Sequence, residues 1–151
     1  MSSSSILQTF HSHAFLKDLS DRHLMILASG ARPFTAAANE HLAREGTTAT
    51  AFYLIQSGHV ALCTRVANRG EVRLQTLGPG EVVGWSWLVP PYRWRFDCLA
   101  LDAVQGIALD GTWLREQCEC DHELGYQVLK HLLAVLASRL AATLARQAGV
   151  T

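Results

Sequence analysis

The stretch AFYLIQSGHVALCTRV, from Ala51 to Val66, decides the fold. Two apolar runs flank Ser57-Gly58. The pattern predicts two short strands joined by a tight hairpin at that pair. Downstream, RVANRGEVRLQTL repeats the form, with Asn68-Arg69-Gly70 as the turn. ARPFTA, EHLAREG, GEVRLQTLGPGEVVG and FDCLALDAVQGIALD are further β-type runs punctuated by glycine. Short strands with turns at this spacing imply a sandwich or barrel.

Both flanks read as helix. Phe15, Leu16 and Leu19 make a short apolar face. Ser20 is a good N-cap for a turn series carrying Leu24, Met25 and Leu27, with Gly30 as its C-cap and Pro33 closing the region. At the other end Asp121 caps a long helix with Gly149 near its end. About 27 residues make a rod of roughly 40 Å. Leu124, Val128, Leu132 and Val135 form one stripe, and Leu129, Leu133, Leu136, Leu140 and Leu144 form another beside it. That face is wider than packing on one surface requires. The second stripe is therefore expected to pair with the same helix of another copy, a homodimer; the alternative is a helix laid deep in a groove of its own barrel. The opening MSSSS reads as a frayed tail. The expected organisation is a flexible segment 1–12, a β-domain with N-terminal helices over 13–120, and the long helix over 121–148.

Composition narrows the function classes. The chain has 151 residues, 49% hydrophobic and 17% charged, which suits one globular domain. Lys+Arg and Asp+Glu both number 13. Phosphate neutralisation calls for a basic excess, so a nucleic-acid partner is disfavoured. No basic, apolar leader is evident, and no apolar run reads as long enough to span a bilayer. Cys63, Cys98, Cys118 and Cys120 suggest no disulfide framework, so the expected location is cytoplasmic.

Helix, glycine-punctuated β-region, long helix: this order resembles the cyclic-nucleotide-binding domain family of catabolite-activator-type regulators and kinase regulatory subunits. HAFLKDLSDRHLMILASGARPF resembles its opening helical segment, and ATAFYLIQSGHVALCT its strand–Gly–strand signature. LGPGEVVGWSWL resembles the approach to the phosphate cassette, FDCLALDAVQGIALD the strands after it, and DHELGYQVLKHLLAVLASRL the dimerisation helix. The resemblance covers residues 13 to 147. It implies an antiparallel β jelly roll with flanking helices, a ligand inside the roll, and no catalysis or resident cofactor. In that cassette a glycine is followed by glutamate and a small residue, with an arginine a short loop later. Backbone N–H groups and the arginine hold the cyclic phosphate, and the glutamate takes the ribose hydroxyl.

The segment GWSWLVPPYRWRFDCLA, Gly84 to Ala100, departs from that pattern. Gly84 matches the glycine, but Trp85 stands at the glutamate position, followed by Ser86 and Trp87. Pro90 and Pro91 remove two N–H donors. Arg93 and Arg95 both lie near the arginine position. The expected ligand-binding set is Gly84, Trp85, Ser86, Trp87, Arg93 and Arg95, toward a cyclic nucleotide or related phosphate of altered specificity. Two alternatives stay open: the tryptophans fill the pocket of a ligand-free scaffold, or the aromatic loop docks a protein partner.

Other constellations are weaker. CECDH, Cys118 to His122, is too tight for a zinc knuckle and lacks a second ligand pair; a strand-to-helix connection explains it. His11 and His13 lie in the start of the chain, and His41 and His59 do not give the spacing a cupin-type enzyme needs, so no metal is expected. No Gly-x-Ser-x-Gly elbow or phosphate-binding loop of nucleotide hydrolases occurs. Ser57 beside His59 suits a turn, and Glu81 after Gly80 reads as a solvated carboxylate. No helix-turn-helix pattern follows the long helix, which implies a stand-alone sensor or adaptor without DNA binding.

Overall fold

Antiparallel pairing arranges the strands into two four-stranded sheets, and the order of strands within them defines the roll. The structure is a computed structural model and describes residues 3–149; Met1 and Ser2 of the expected tail lie outside the described residues. In chain order the elements are α1 (Ser3–Ser12), α2 (Asp21–Ser29), β1 (Ala31–Ala36), β2 (His41–Ala43), β3 (Ala51–Ser57), β4 (Val60–Val66), β5 (Gly70–Leu77), β6 (Val82–Val83), β7 (Asp97–Ala100), β8 (Val104–Asp110), α3 (Gly111–Cys120) and α4 (His122–Gln147). One sheet runs β1-β8-β3-β6 and the other β2-β7-β4-β5. This is the antiparallel roll with flanking helices that the sequence implies.

Ser57-Gly58 does not close a hairpin. β3 pairs with β8 and β6, whereas β4 pairs with β5 and β7, so the Ser-Gly pair carries the chain from one sheet to the other. Gly58 has φ +89°, and a Cβ there would stand 2.3 Å from the carbonyl oxygen of Ala103. Its role is a close backbone crossing in the left-handed region, which only glycine enters without strain. Asn68-Arg69-Gly70 does close a hairpin, joining β4 to β5 with positive φ at Asn68 and Gly70.

β3 is buried on both faces, so it reads as a continuous apolar run. Successive side chains point to opposite faces. Phe52 meets Phe15 edge-on at 5.4 Å and Trp87 at 5.6 Å. Tyr53, one residue on, meets Phe34 at 4.8 Å and stacks on Trp94 at 6.5 Å.

The helix caps follow the sequence. Ser20 accepts a hydrogen bond from the N–H of His23, and Asp121 from that of Leu124. Three local expectations are corrected. Residues 3–12 are not a loose tail: α1 forms there and buries Ile6 and Phe10. Pro33 lies inside β1, an edge strand where a missing N–H is tolerated, rather than ending a helical region. CECDH is not a strand-to-helix link, because α3 runs to Cys120 after Asp110 caps it at the N–H of Trp113.

The chain divides into two compact units, residues 1–116 and residues 117–151. In the second, Gly125 packs against the backbone of Cys118. Burial along α4 separates the two stripes. Leu124, Val128 and Leu132 are buried, while Leu129, Leu133, Leu140 and Leu144 are exposed, Leu133 at 67%, and Leu136 is half-buried. By length and composition alone α4 could cross a membrane, with an 18-residue window of mean hydropathy 1.5. That corrects the sequence reading that no run is long enough.

His13 ties the N-terminal segment to the sheet. Its Nε2–H donates to the carbonyl of Ile55 at 3.1 Å, and its Nδ1 accepts from the N–H of Phe15 at 3.2 Å. Both ring nitrogens are committed in the neutral form, and burial holds the pKa below the ordinary value of 6.5 despite the Ile55 bond. The unfolded chain therefore binds the proton more readily. Stability from this residue is present above pH 6.5 and is lost as pH falls toward the lowered folded value. In urea titrations between pH 8 and pH 5.5, wild type should lose more stability than His13→Gln. Parallel curves would refute the assignment. Gly58→Ala should cost more than about 1 kcal/mol, read from the same denaturation midpoints, since it adds a clash to an unfavourable φ.

Candidate functional site

The approach to the cassette is a closed turn. The N–H of Gly78 donates to Oε2 of Glu81 at 2.7 Å, the N–H of Gly80 to the carbonyl of Ile55, and the N–H of Ile55 to the carbonyl of Glu81. Glu81 thus holds its own turn. β6 then pairs Val82 and Val83 with Leu54 and Tyr53, and delivers Gly84 at φ +108°.

After Gly84 the backbone makes a short helical turn, with Leu88 N–H donating to the carbonyl of Trp85. Trp87, expected among the ligand contacts, is 0% exposed; its Nε1–H donates to the carbonyl of Gly84 at 3.0 Å and its ring lies on Phe52. Ser86 is buried as well. Trp85 is half-buried, with the guanidinium of Arg95 5.2 Å from its ring centroid.

The returning segment is strand-like. Ala49 N–H donates to Tyr92, Trp94 N–H to Thr47, and Gly46 N–H to Trp94, each at 2.8 Å, with a bridge between Thr48 and Arg93. Extended backbone alternates its side chains. Arg93 is exposed, Trp94 buried and Arg95 exposed. Arg93 donates to the carbonyl of Gly46 at 2.8 Å and Arg95 to that of Pro90 at 3.2 Å. The two arginines expected to face a phosphate each spend an N–H on a surface carbonyl. The residue that points inward between them is tryptophan.

Trp94 is 7% exposed and lies against Gly84, whose Cα would carry a Cβ only 3.0 Å from Cη2 of that indole. It stacks on Tyr53 at 13°. Tyr53 belongs to the first sheet, and its hydroxyl donates to the carbonyl of Leu42 in the second at 3.4 Å. Burial raises its pKa, with Arg32 lowering it and Cys98 of β7 raising it. Tyr53 and Trp94 therefore lie between the sheets. An anion approaching the amides near Gly84 would meet an indole there, and no carboxylate follows Gly84 to take a sugar hydroxyl.

Arg115 of α3 also belongs to this site. It donates to the carbonyl of Trp87 at 2.5 Å and sits 3.8 Å over the ring of Tyr92, a close cation–π contact. Sequence reasoning missed both Trp94 and Arg115. The alternation in Arg93-Trp94-Arg95 was an available signal for the first. The second was hidden because α3 was read as a connection.

Elsewhere, His59 uses its backbone N–H and Nδ1 on the carboxylate of Asp102, at 2.7 and 2.9 Å, and these bonds to His59 lower the Asp102 pKa. Burial, with Glu119 and Asp121 nearby, pushes the Cys118 thiol up to about 11. A thiol that stays protonated at neutral pH is a poor nucleophile and a poor metal ligand.

The cyclic nucleotide-binding domain family model matches residues 33–120. Among solved structures, a Geobacter metallireducens GS-15 protein assigned provisionally as cyclic nucleotide-binding superposes with a TM-score of 0.80 at 24% identity, covering 93% of this chain and 99% of that one. A cyclic nucleotide-binding domain from Methylobacillus flagellatus KT gives 0.79 at 22% identity, covering 95% and 81%. The regulatory subunit of a cAMP-independent protein kinase A from Trypanosoma cruzi, bound to guanosine, gives 0.75 at 18% identity, covering 97% and 50%. At these identities the structures speak for the fold. No curated protein matches the sequence. With the roll, the glycine-led cassette and the family match in agreement, this chain belongs to the cyclic nucleotide-binding domain family.

Proposed function

We propose that the chain is a regulatory domain whose cassette is occupied by its own Trp94, and that it acts as a protein scaffold without taking cyclic AMP or cyclic GMP in the family's manner. The observation that carries this is the arrangement of Arg93-Trp94-Arg95: the indole is buried on Gly84 and both guanidinium groups are outside. Burying an anionic phosphate beside an indole, with the guanidinium groups of Arg93 and Arg95 turned outward, leaves its charge without the partner either arginine would supply. The missing carboxylate at Trp85 removes the sugar acceptor too. No step in this reading requires catalysis, and the expected setting is the cytoplasm.

Calorimetry with cyclic AMP and cyclic GMP should give no saturable heat up to about 1 mM, a level where even weak sites near −4 kcal/mol respond. Saturable heat that Arg95→Ala or Arg93→Ala weakens would restore the nucleotide-sensor reading of Gly84, Trp85, Ser86, Trp87, Arg93 and Arg95.

A second reading rests on Trp94 being stacked on Tyr53 instead of interlocked with it. A flat, uncharged ligand could replace that indole as Tyr53's partner. A relative that is cAMP-independent and bound to guanosine makes a phosphate-free ligand reasonable for the fold. Guanosine titration followed by tryptophan fluorescence distinguishes this reading: a saturable change abolished by Tyr53→Ala favours it, and a flat trace removes it.

The exposed Leu129, Leu133, Leu140 and Leu144, with half-buried Leu136, support a homodimer through α4. A contiguous apolar stripe of this size on a helix favours a partner surface. Light scattering should report a dimer that becomes a monomer in Leu133→Asp plus Leu140→Asp. An unchanged mass would exclude pairing through this stripe.

A further inference from the structure

On the second sheet, away from Gly84 in sequence, three metal-ligating side chains from three strands converge. His41 of β2, Glu71 of β5 and Asp97 of β7 each offer a ligand atom, and these atoms lie within 4.8 Å of one another. Strand register explains the meeting. Asp97 stands opposite Cys63, Arg65 opposite Glu71, and His41 opposite Leu99, which shares a sheet face with Asp97.

Hydrogen bonding does not account for the cluster. Nε2 of His41 is closed off from solvent and has no hydrogen-bond partner among the described residues. Oε2 of Glu71 is its near neighbour at 3.9 Å, too long for a hydrogen bond. That gap suits two ligands of one ion: bonds of about 2.0–2.2 Å meeting near the tetrahedral angle place the donors roughly 3.4 Å apart. A buried nitrogen without a partner is costly unless something fills the gap.

Asp97 is oriented for the same role. Its carboxylate is almost fully buried, and Oδ1 accepts from the N–H of Glu45 at 2.7 Å. Oδ2 is left with Nε of Arg65 at 3.8 Å, an exposed side chain that can move into water. A backbone amide bound to one carboxylate oxygen in this way fixes the group and leaves the other oxygen for an ion.

We propose that His41, Glu71 and Asp97 form a binding site for a divalent transition cation of the zinc or manganese class, with water completing the coordination. One imidazole and two carboxylates suit such an ion better than magnesium, which prefers oxygen ligands alone. Two carboxylates balance the ion's charge. The site is distinct from CECDH, whose Cys118 thiol is protonated at neutral pH, and it shares no residue with the cassette.

The test uses the whole chain, stripped with chelator and titrated with zinc, manganese and magnesium chlorides. Calorimetry should find one zinc or manganese ion per chain and no comparable magnesium binding. At a hundredfold excess over Kd the melting temperature should rise by roughly 5–10 °C. His41→Ala should abolish both signals, and Glu71→Ala, at a partly exposed position, should weaken affinity at least tenfold. Cys118→Ser plus Cys120→Ser, and His11→Ala, should leave them intact. No saturable binding, binding that survives Glu71→Ala unchanged, or binding lost only with the cysteine or His11 variants would overturn the site. Should His41→Ala fail to fold, Glu71→Ala decides.

Discussion

One strand's two-residue period organises the interior. On β3, Phe52 and Tyr53 send their rings to opposite faces, and each collects its own aromatic set. Phe52 gathers Phe15 and Trp87, so it joins the helical N-terminal segment to the cassette's short turn. Tyr53 gathers Phe34 and Trp94, so it fills the space between the sheets. A slip of one residue in β3 would exchange these sets, and neither would fit the other's space. The register is held on both sides, by β8 along the strand and by β6 at Leu54 and Tyr53. The cassette's state follows from this. Trp94 has a flat partner waiting between the sheets, whereas an arginine there would face an aromatic ring and apolar walls.

Much of this architecture was legible in the sequence, and the exceptions share a cause. Glycine-punctuated apolar runs carried the strands, and Ser20, Gly30 and Asp121 marked helix ends, because these signals depend only on local backbone chemistry. The Ser57-Gly58 pair was misread because a turn residue says that the chain bends, not which strand each arm will pair with. That choice is made by β8 and β7, some 40 residues downstream in the chain. α1 was missed because Ile6 and Phe10 are too sparse to show a stripe without their tertiary partners. α3 begins with Gly111 and carries Trp113, both weak helix formers, so propensity did not announce it.

The candidate site was legible only in part for the same reason. The departure at Trp85 can be read from residue identity. The choice among Arg93, Trp94 and Arg95 cannot, because it depends on which way an extended segment faces. That facing is fixed by hydrogen bonds from Ala49 to Tyr92, from Trp94 to Thr47 and from Gly46 to Trp94, contacts over more than 40 residues of sequence. His41, Glu71 and Asp97 are spread over three strands and show no motif spacing at all. They become a group only when the second sheet is assembled.

The segment from Arg44 to Thr47 joins these two regions. Its Gly46 binds the backbone of Trp94 and accepts from Arg93, and its Thr47 receives the N–H of Trp94. Its Glu45 donates to Asp97 and accepts from Thr64 through Oε1. Three consecutive residues, Glu45 to Thr47, therefore hold both the strand that turns an indole onto Gly84 and the carboxylate beside His41. Any ligand that fixes Asp97 would fix this segment, and the segment fixes the facing of Arg93-Trp94-Arg95. Exchange of the indole for an arginine needs a one-residue shift in that pairing, which breaks the bonds to Gly46 and Thr47 together. The inward facing of Trp94 is thus maintained by its backbone bonds to Gly46 and Thr47 as well as by its stacking on Tyr53.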